Sequence, residues 1–176
     1  PVGGISEVGT ELICSKSKIG SIARSCIRGS SEEPCYRCWK CFRKSTLRTS
    51  LGLEEVHSER LHQLISTNEV QIKLSKLPIS HEDVLLYAFS RLDLQNYPQE
   101  FTPRFQHAFE LSFLERWFGP SSAYIDQRAR DEVISKISLF LPQMDSHDES
   151  LAREWNNEKR ISNMEALTYS ITHDAP

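Results

Sequence analysis

The sequence predicts a mainly α-helical fold in which a zinc-binding loop of four cysteines is followed by a helical domain. Four of the five cysteines are grouped between Cys26 and Cys41. From Leu53 onward, apolar residues recur at the spacing that gives a helix one buried face. Only one short segment, residues 70–74, alternates apolar and polar residues as a strand does.

The cysteine group has the spacing of a thiolate site for zinc. Cys26, Cys35, Cys38 and Cys41 form the pattern C-x8-C-x2-C-x2-C. Zinc is bound tetrahedrally by four such thiolates, and a C-x2-C turn presents two sulfurs to one ion. The eight residues between Cys26 and Cys35 allow the Cys26 sulfur to reach the same ion from outside the turn. We therefore expect a structural zinc site made of these four residues.

Other uses of the cysteines remain open. An iron–sulfur cluster also takes four thiolates, although ferredoxins space them differently. Disulfides need an oxidising compartment, and a redox C-x-x-C leaves the third cysteine unused. The fifth cysteine, Cys14, is expected to be a buried and inert thiol.

The rest of the chain is predicted to be helical, with one exception. Helices are expected over residues 53–66, from the Ser80 cap onward, from Thr102-Pro103 to near Gly119-Pro120, from Asp126 to Pro142 and over residues 151–160. Val133, Ile134 and Ile137 are expected to face inward. The exception is a short strand through Val70, Ile72 and Leu74. The first fourteen residues show no clear helix or strand beyond the short ELIC segment.

Length, charge and hydropathy limit the class of protein. The 176 residues carry a net charge of −3, yet residues 15–48 hold nine lysines and arginines against two glutamates. This basic segment exceeds what is needed to offset a zinc tetrathiolate, and it points to a nearby polyanion. No apolar run is long enough to cross a membrane, and no signal peptide opens the chain, so we expect a cytoplasmic protein. The start at Pro1, without methionine, leads us to expect an upstream part.

The cysteine segment resembles the zinc loop of the 7-cyano-7-deazaguanine synthases, in the PP-loop ATP-pyrophosphatase superfamily. The resemblance covers residues 11–47. It rests on Ser25-Cys26, on the cysteine spacing, on Arg43 just past the last cysteine, and on the preceding segment SKSKIGSIA, which is similar to a helix start in that family.

This resemblance implies a function for the chain and an order for its parts. Residues 1–48 would be the end of a Rossmann-like α/β PP-loop core with its zinc loop, 49–142 a helical domain, and 143–176 a polar C-terminal helix and tail. Such enzymes are ATP-dependent ligases that use ATP and magnesium to adenylate a carboxylate or amide for attack by a nitrogen nucleophile. The resemblance places Lys16 beside the ATP phosphates, and we expect the helical extension to serve dimerisation, a partner subunit or an unusual substrate.

The chain differs from the synthases in two ways, and these differences keep a second interpretation open. The ATP-binding signature S-G-G-x-D-S is absent from the chain, and about 130 residues follow the zinc loop, whereas the synthases end soon after it. The alternative is a zinc-stabilised helical module that binds nucleic acid or a protein without catalysis. Its contact surface would be the basic and aromatic residues of the loop: Arg37, Trp39, Lys40, Phe42, Arg43 and Lys44.

Overall fold

The computed structural model describes residues 4–20, 23, 26–30, 33–55, 58–76, 79–93 and 110–155. Within these ranges the protein is mainly helical, as predicted, and its only β-type pairings are two isolated bridges made by Trp117. The α-helices are α1 Glu7–Lys16, α2 Trp39–Ser50, α3 Ser58–Ile65, α4 Asn68–Leu74, α5 Glu82–Phe89, α6 Gln127–Ser138 and α7 Ser146–Glu154, with 3-10 helices at Ser112–Glu115 and Gly119–Tyr124. Since no sheet occurs in the described residues, a Rossmann-like parent fold remains a prediction.

The chain divides into two compact units. The first combines Pro1–Ala23 with Glu110–Trp155, and the second combines Arg24–Phe109 with Asn156–Pro176. These units are defined by which residues contact each other, and their boundaries differ from the predicted boundaries at residues 48 and 142. The organisation into segments 1–48, 49–142 and 143–176 stays a prediction of how the protein is assembled.

In the first unit, α1 begins at a side-chain cap. The Ser6 Oγ accepts the backbone N–H of Gly9 at 2.9 Å, which satisfies one of the free donors at a helix start. The same hydroxyl donates to the Leu114 carbonyl, so the cap also fastens α1 to the 3-10 helix Ser112–Glu115. The expectation that the first fourteen residues hold no helix beyond the ELIC segment is therefore wrong, because the helix capped by Ser6 already begins at Glu7.

The rest of the first unit packs around Trp117. Its backbone bridges to Ile5 on one side and to Gln143 on the other. The rings of Phe113 and Trp155 pack in a T-shaped arrangement, with centroids 6.1 Å apart. The buried apolar residues of this unit are Val8, Leu111, Phe113, Leu114, Trp117, Leu141 and Met144.

The second unit is built on α2 and α5, which pack against each other. Helix α5 is buried on all sides from Val84 to Phe89, as expected for a core helix. On α2, Phe42 and Leu47 are fully buried, and the Phe42 ring lies 6.5 Å from that of Phe89. This pair of helices forms the core against which the cysteine segment is held.

Helices α3 and α4 complete the second unit, and α4 corrects the predicted strand. The strand through Val70, Ile72 and Leu74 is wrong, since Asn68–Leu74 is helical. Val70 and Leu74 are buried while Ile72 is 44% exposed. Residues four apart share one face of a helix, so the two buried positions fit a helix as well as they fit an alternating strand.

The other predicted helices have mixed outcomes. Asp126 does cap a helix, because its Oδ1 accepts the Arg128 N–H at 2.9 Å. However, α6 has no buried residue, so Val133, Ile134 and Ile137 are only half-buried rather than inward. The predicted helix 53–66 is observed as the shorter α3, and the one after Ser80 begins at Glu82.

Further predictions concern the C-terminal half and the membrane. Helix α7 spans Ser146–Glu154, earlier than the predicted 151–160, of which residues 156–160 lie outside the described residues. Of the helix predicted from Thr102-Pro103, residues 102–109 also lie outside them, and the described remainder forms the 3-10 helix Ser112–Glu115 instead of an α-helix. Across the described part of the chain, no helix combines the length and the hydropathy needed to span a bilayer.

Candidate metal centre

The structure brings Cys26, Cys35, Cys38 and Cys41 together at one point of the second unit. Their four Sγ atoms all lie within 4.8 Å of one another, and the Sγ atoms of Cys35 and Cys41 are 3.7 Å apart. Four sulfurs bound tetrahedrally at 2.3 Å from zinc would be about 3.8 Å from each other. The cluster can therefore hold a metal ion such as zinc, as the spacing predicted.

Two of the four cysteines are placed by the start of α2. Cys38 is the N-cap residue of this helix, and Cys41 lies in its first turn. Both are buried, at 4% exposure. A helix N-terminus carries a partial positive charge, which would stabilise the thiolates of these two residues once a metal is bound.

The other two cysteines are placed by the preceding loop. The backbone N–H of Cys35 donates to the Cys26 Sγ at 3.4 Å, which joins the two ends of the eight-residue spacer. Between them, Ser30 and Glu33 form a turn in which each residue accepts the other's backbone N–H at 2.9 Å. The loop is thus braced by its own hydrogen bonds as well as by any bound ion.

The four thiols differ in their acidity before a metal binds. The N–H of Cys35 is the main reason that the pKa of Cys26 is lowered to about 6. Burial raises the pKa of Cys38 and of Cys41 above the ordinary thiol value. At neutral pH Cys26 is therefore largely a thiolate, whereas Cys38 and Cys41 keep their protons until a metal displaces them.

This difference predicts proton release on metal binding. At pH 7, we expect at least about two protons per zinc to be released, because Cys38 and Cys41 must both become thiolates. The affinity for zinc should accordingly rise with pH, by about tenfold per pH unit for each proton displaced. Titration of the metal-free protein in weakly buffered solution measures the protons directly. Zinc binding without proton release would show that these two thiols are not ligands.

Helices α3 and α4 contact residues that lie next to the cysteines in the sequence. On α4, the Glu69 Oε1 accepts the backbone N–H of Trp39 at 3.2 Å, and its Oε2 pairs with the Arg28 guanidinium. On α3, the Arg60 guanidinium lies over the Tyr36 ring, 4.4 Å from its centroid. The cysteine loop is therefore anchored to two helices that lie later in the chain.

The aromatic and basic residues of the loop face different surroundings. Trp39 and Phe42 are buried, with ring centroids 5.5 Å apart, and Arg43 is also buried. Arg37 and Lys40 are exposed. Part of the predicted basic and aromatic surface is thus inside the protein, where it stabilises the fold.

Lys16 has a different environment from the one that the resemblance implied. It ends α1, so the predicted helix start at Ser15–Lys16 is wrong, and its Nζ donates to the Phe140 carbonyl at 3.1 Å. A lysine in the last turn is favourable because the C-terminal end of a helix carries partial negative charge. Its role at an ATP phosphate stays a prediction. Cys14, on the same helix, is half-buried rather than buried.

Sequence reasoning did not identify Glu69 or the backbone of Tyr36. Tyr36, between the second and third cysteines, has a φ of 49°, a left-handed conformation that only glycine adopts easily. Glu69 immediately precedes the segment predicted as the strand, and a single glutamate in a helix's first turn has no distinctive pattern. The sequence would have pointed to Glu69 only if Asn68–Leu74 had been predicted as a helix.

One of three comparisons with known proteins finds a match. A search of the curated proteins finds no match, and a search of the solved structures finds none either. The model of one family, described as a family of unknown function (DUF6395), matches residues 1–156. Since this match covers most of the 176 residues, the chain belongs to the DUF6395 family.

Proposed function

We propose that the four cysteines bind one structural zinc ion, which fastens the loop of residues 26–38 to the start of α2. The observation that carries this proposal is the closeness of the four Sγ atoms, all within 4.8 Å of one another. Four thiolates fill the tetrahedral coordination sphere and leave no position for water or substrate, an arrangement typical of structural rather than catalytic zinc. The burial of Cys38 and Cys41 agrees with this role.

We propose further that the zinc-bound unit serves an ATP-dependent ligase of the PP-loop superfamily, similar to the 7-cyano-7-deazaguanine synthases. The support is the Ser-Cys pair at residues 25 and 26, the C-x8-C-x2-C-x2-C spacing and Arg43 beyond it. In this proposal zinc stiffens one wall of the substrate site, while ATP and magnesium are bound by a nucleotide-binding part in the same polypeptide or in a partner subunit. The substrate is a carboxylate or amide, and the reaction takes place in the cytoplasm.

The experiment begins with the protein isolated from its source. Native and denaturing mass spectra give the zinc stoichiometry and the mass of any partner subunit. The isolated material is then given ATP, magnesium, ammonium and a panel of carboxylic acids, and pyrophosphate release is measured. We expect one zinc per chain and pyrophosphate release that depends on one of the acids. One zinc without any such release would contradict the ligase and leave the structural zinc in place.

A second function, nucleic-acid binding without catalysis, is favoured by the exposure of Arg37 and Lys40 beside the cluster. The burial of Trp39 and Phe42 weighs against it, because buried rings cannot stack on bases. Fluorescence anisotropy with single-stranded DNA and RNA, at low and high salt, separates the two. Tight binding that weakens steeply with salt, and that Lys40→Glu reduces, would favour this second function.

A further inference from the structure

We propose that Glu69 is a positioning residue for the metal centre: it pairs with Arg28 of the cysteine loop and caps the helix that presents Cys38 and Cys41. This inference rests on the proposed zinc site and adds a residue to it from another helix. Its evidence is the pair of contacts that one carboxylate makes, one with each oxygen.

The first contact is made at the start of α2. Cys38, the N-cap residue, makes no side-chain capping hydrogen bond, and the first turn of α2 contains no acidic residue. The Glu69 Oε1 supplies both missing features, since it accepts the Trp39 N–H at 3.2 Å and brings a negative charge to the helix N-terminus. This N–H is the main reason that the pKa of Glu69 is lowered. The carboxylate therefore fixes the helix end from which two ligands project.

The second contact is made with the loop. Arg28 is two residues beyond Cys26, and its guanidinium pairs with the Glu69 Oε2. Through this one carboxylate, the loop next to Cys26 is joined both to α4 and to the backbone at the start of α2.

The Arg28–Glu69 ion pair matters for the net charge near the metal centre. Four thiolates around Zn²⁺ carry a net charge of about −2, and a carboxylate alone nearby would disfavour that state. With Arg28 paired to it, the Glu69 carboxylate adds no net charge to the surroundings of the cluster. Outer residues that orient metal ligands are worth about 10–100-fold in metal affinity.

The test compares the zinc affinity of Glu69→Gln with that of the unchanged protein, by competition with a chelator. Glutamine keeps an oxygen for the Trp39 N–H but cannot pair with Arg28 as an ion, so we expect the Kd for zinc to rise about tenfold or more. The matched control is Glu132→Gln, which breaks an exposed ion pair with Lys136 in the other unit and should leave the Kd unchanged.

A double-mutant cycle distinguishes positioning from general destabilisation. Arg28→Ala, at a side chain that is 61% exposed, should weaken zinc binding by a similar factor, and the double variant should be no weaker than either single one. Saturation with Co²⁺ should give the same thiolate charge-transfer band in every variant, since all four ligands remain. Far-UV circular dichroism checks that the variants fold. If Glu69→Gln does not fold, the zinc affinity of Arg28→Ala provides the test.

The outcomes separate this inference from the proposed zinc site. A Kd for Glu69→Gln or Arg28→Ala within twofold of the original would overturn the role of Glu69 and leave the zinc site standing. Fully additive effects in the cycle would also overturn it. If the unchanged protein binds no zinc, the proposed site itself fails.

Discussion

Cys38→Ser is expected to abolish zinc binding and to unfold the loop of residues 26–38. A serine hydroxyl does not ionise near neutral pH, so the variant offers zinc three thiolates instead of four. Serine is nevertheless a better N-cap residue than cysteine, so the substitution should not weaken α2 in its own right. Structural zinc sites contribute about 10–16 kcal/mol of apparent binding free energy, and most of that would be lost.

The measurement is zinc content after gel filtration, together with the unfolding temperature of the metal-loaded protein. Cys14→Ser is the matched control, because Cys14 lies on α1 in the other unit and is not part of the cluster. This control should keep one zinc per chain and its unfolding temperature. A Cys38→Ser protein with one tightly bound zinc would refute the assignment of Cys38 as a ligand.

Phe42→Ala is expected to destabilise the second unit by about 3–5 kcal/mol, the usual cost of removing a buried aromatic ring. Phe42 has no exposed surface, and its ring lies 5.5 Å from that of Trp39 and 6.5 Å from that of Phe89. Truncation would leave a cavity between α2 and α5, directly behind the helix turn that carries Cys41. The loss should therefore appear in the stability of the unit and, to a smaller extent, in zinc affinity.

Denaturant unfolding of the zinc-saturated protein, followed by tryptophan fluorescence, measures this change. Ile72→Ala serves as control, because Ile72 lies on α4 in the same unit with 44% of its surface exposed. We expect the control to change the free energy of unfolding by less than about 1 kcal/mol. A similarly small change for Phe42→Ala would mean that α2 and α5 do not share a core.

The parts of the fold that the sequence predicts correctly depend on local chemistry. The four metal ligands follow from the spacing of one residue type over a short segment, because zinc needs its sulfurs close together. The start of α6 follows from Asp126, whose side chain reaches a backbone N–H two residues away. In both cases the interacting groups are neighbours in the sequence, so their pattern can be read without the fold.

The parts that could not be predicted depend on contacts between distant residues. Helix α4 appears strand-like because Val70, Ile72 and Leu74 alternate, and only the packing that leaves Ile72 exposed reveals the helix. The Ser6 hydroxyl bonds with Leu114, which lies more than a hundred residues later. The two contacts of Glu69 likewise depend on where α4 lies in space, for which a single sequence gives no signal.

The position of Cys38 and Cys41 across the first turn of α2 also affects how the protein folds. The first turn of a helix is unfavourable to form because it orders several residues for one hydrogen bond, with a nucleation constant of about 10⁻³. An ion that holds these two sulfurs together orders that turn in advance. Since the ligands span a short stretch that is synthesised well before α5, we expect zinc captured early to start α2 while its packing partner is still being made. Metal supply during synthesis would then determine how quickly newly made chains reach the folded state.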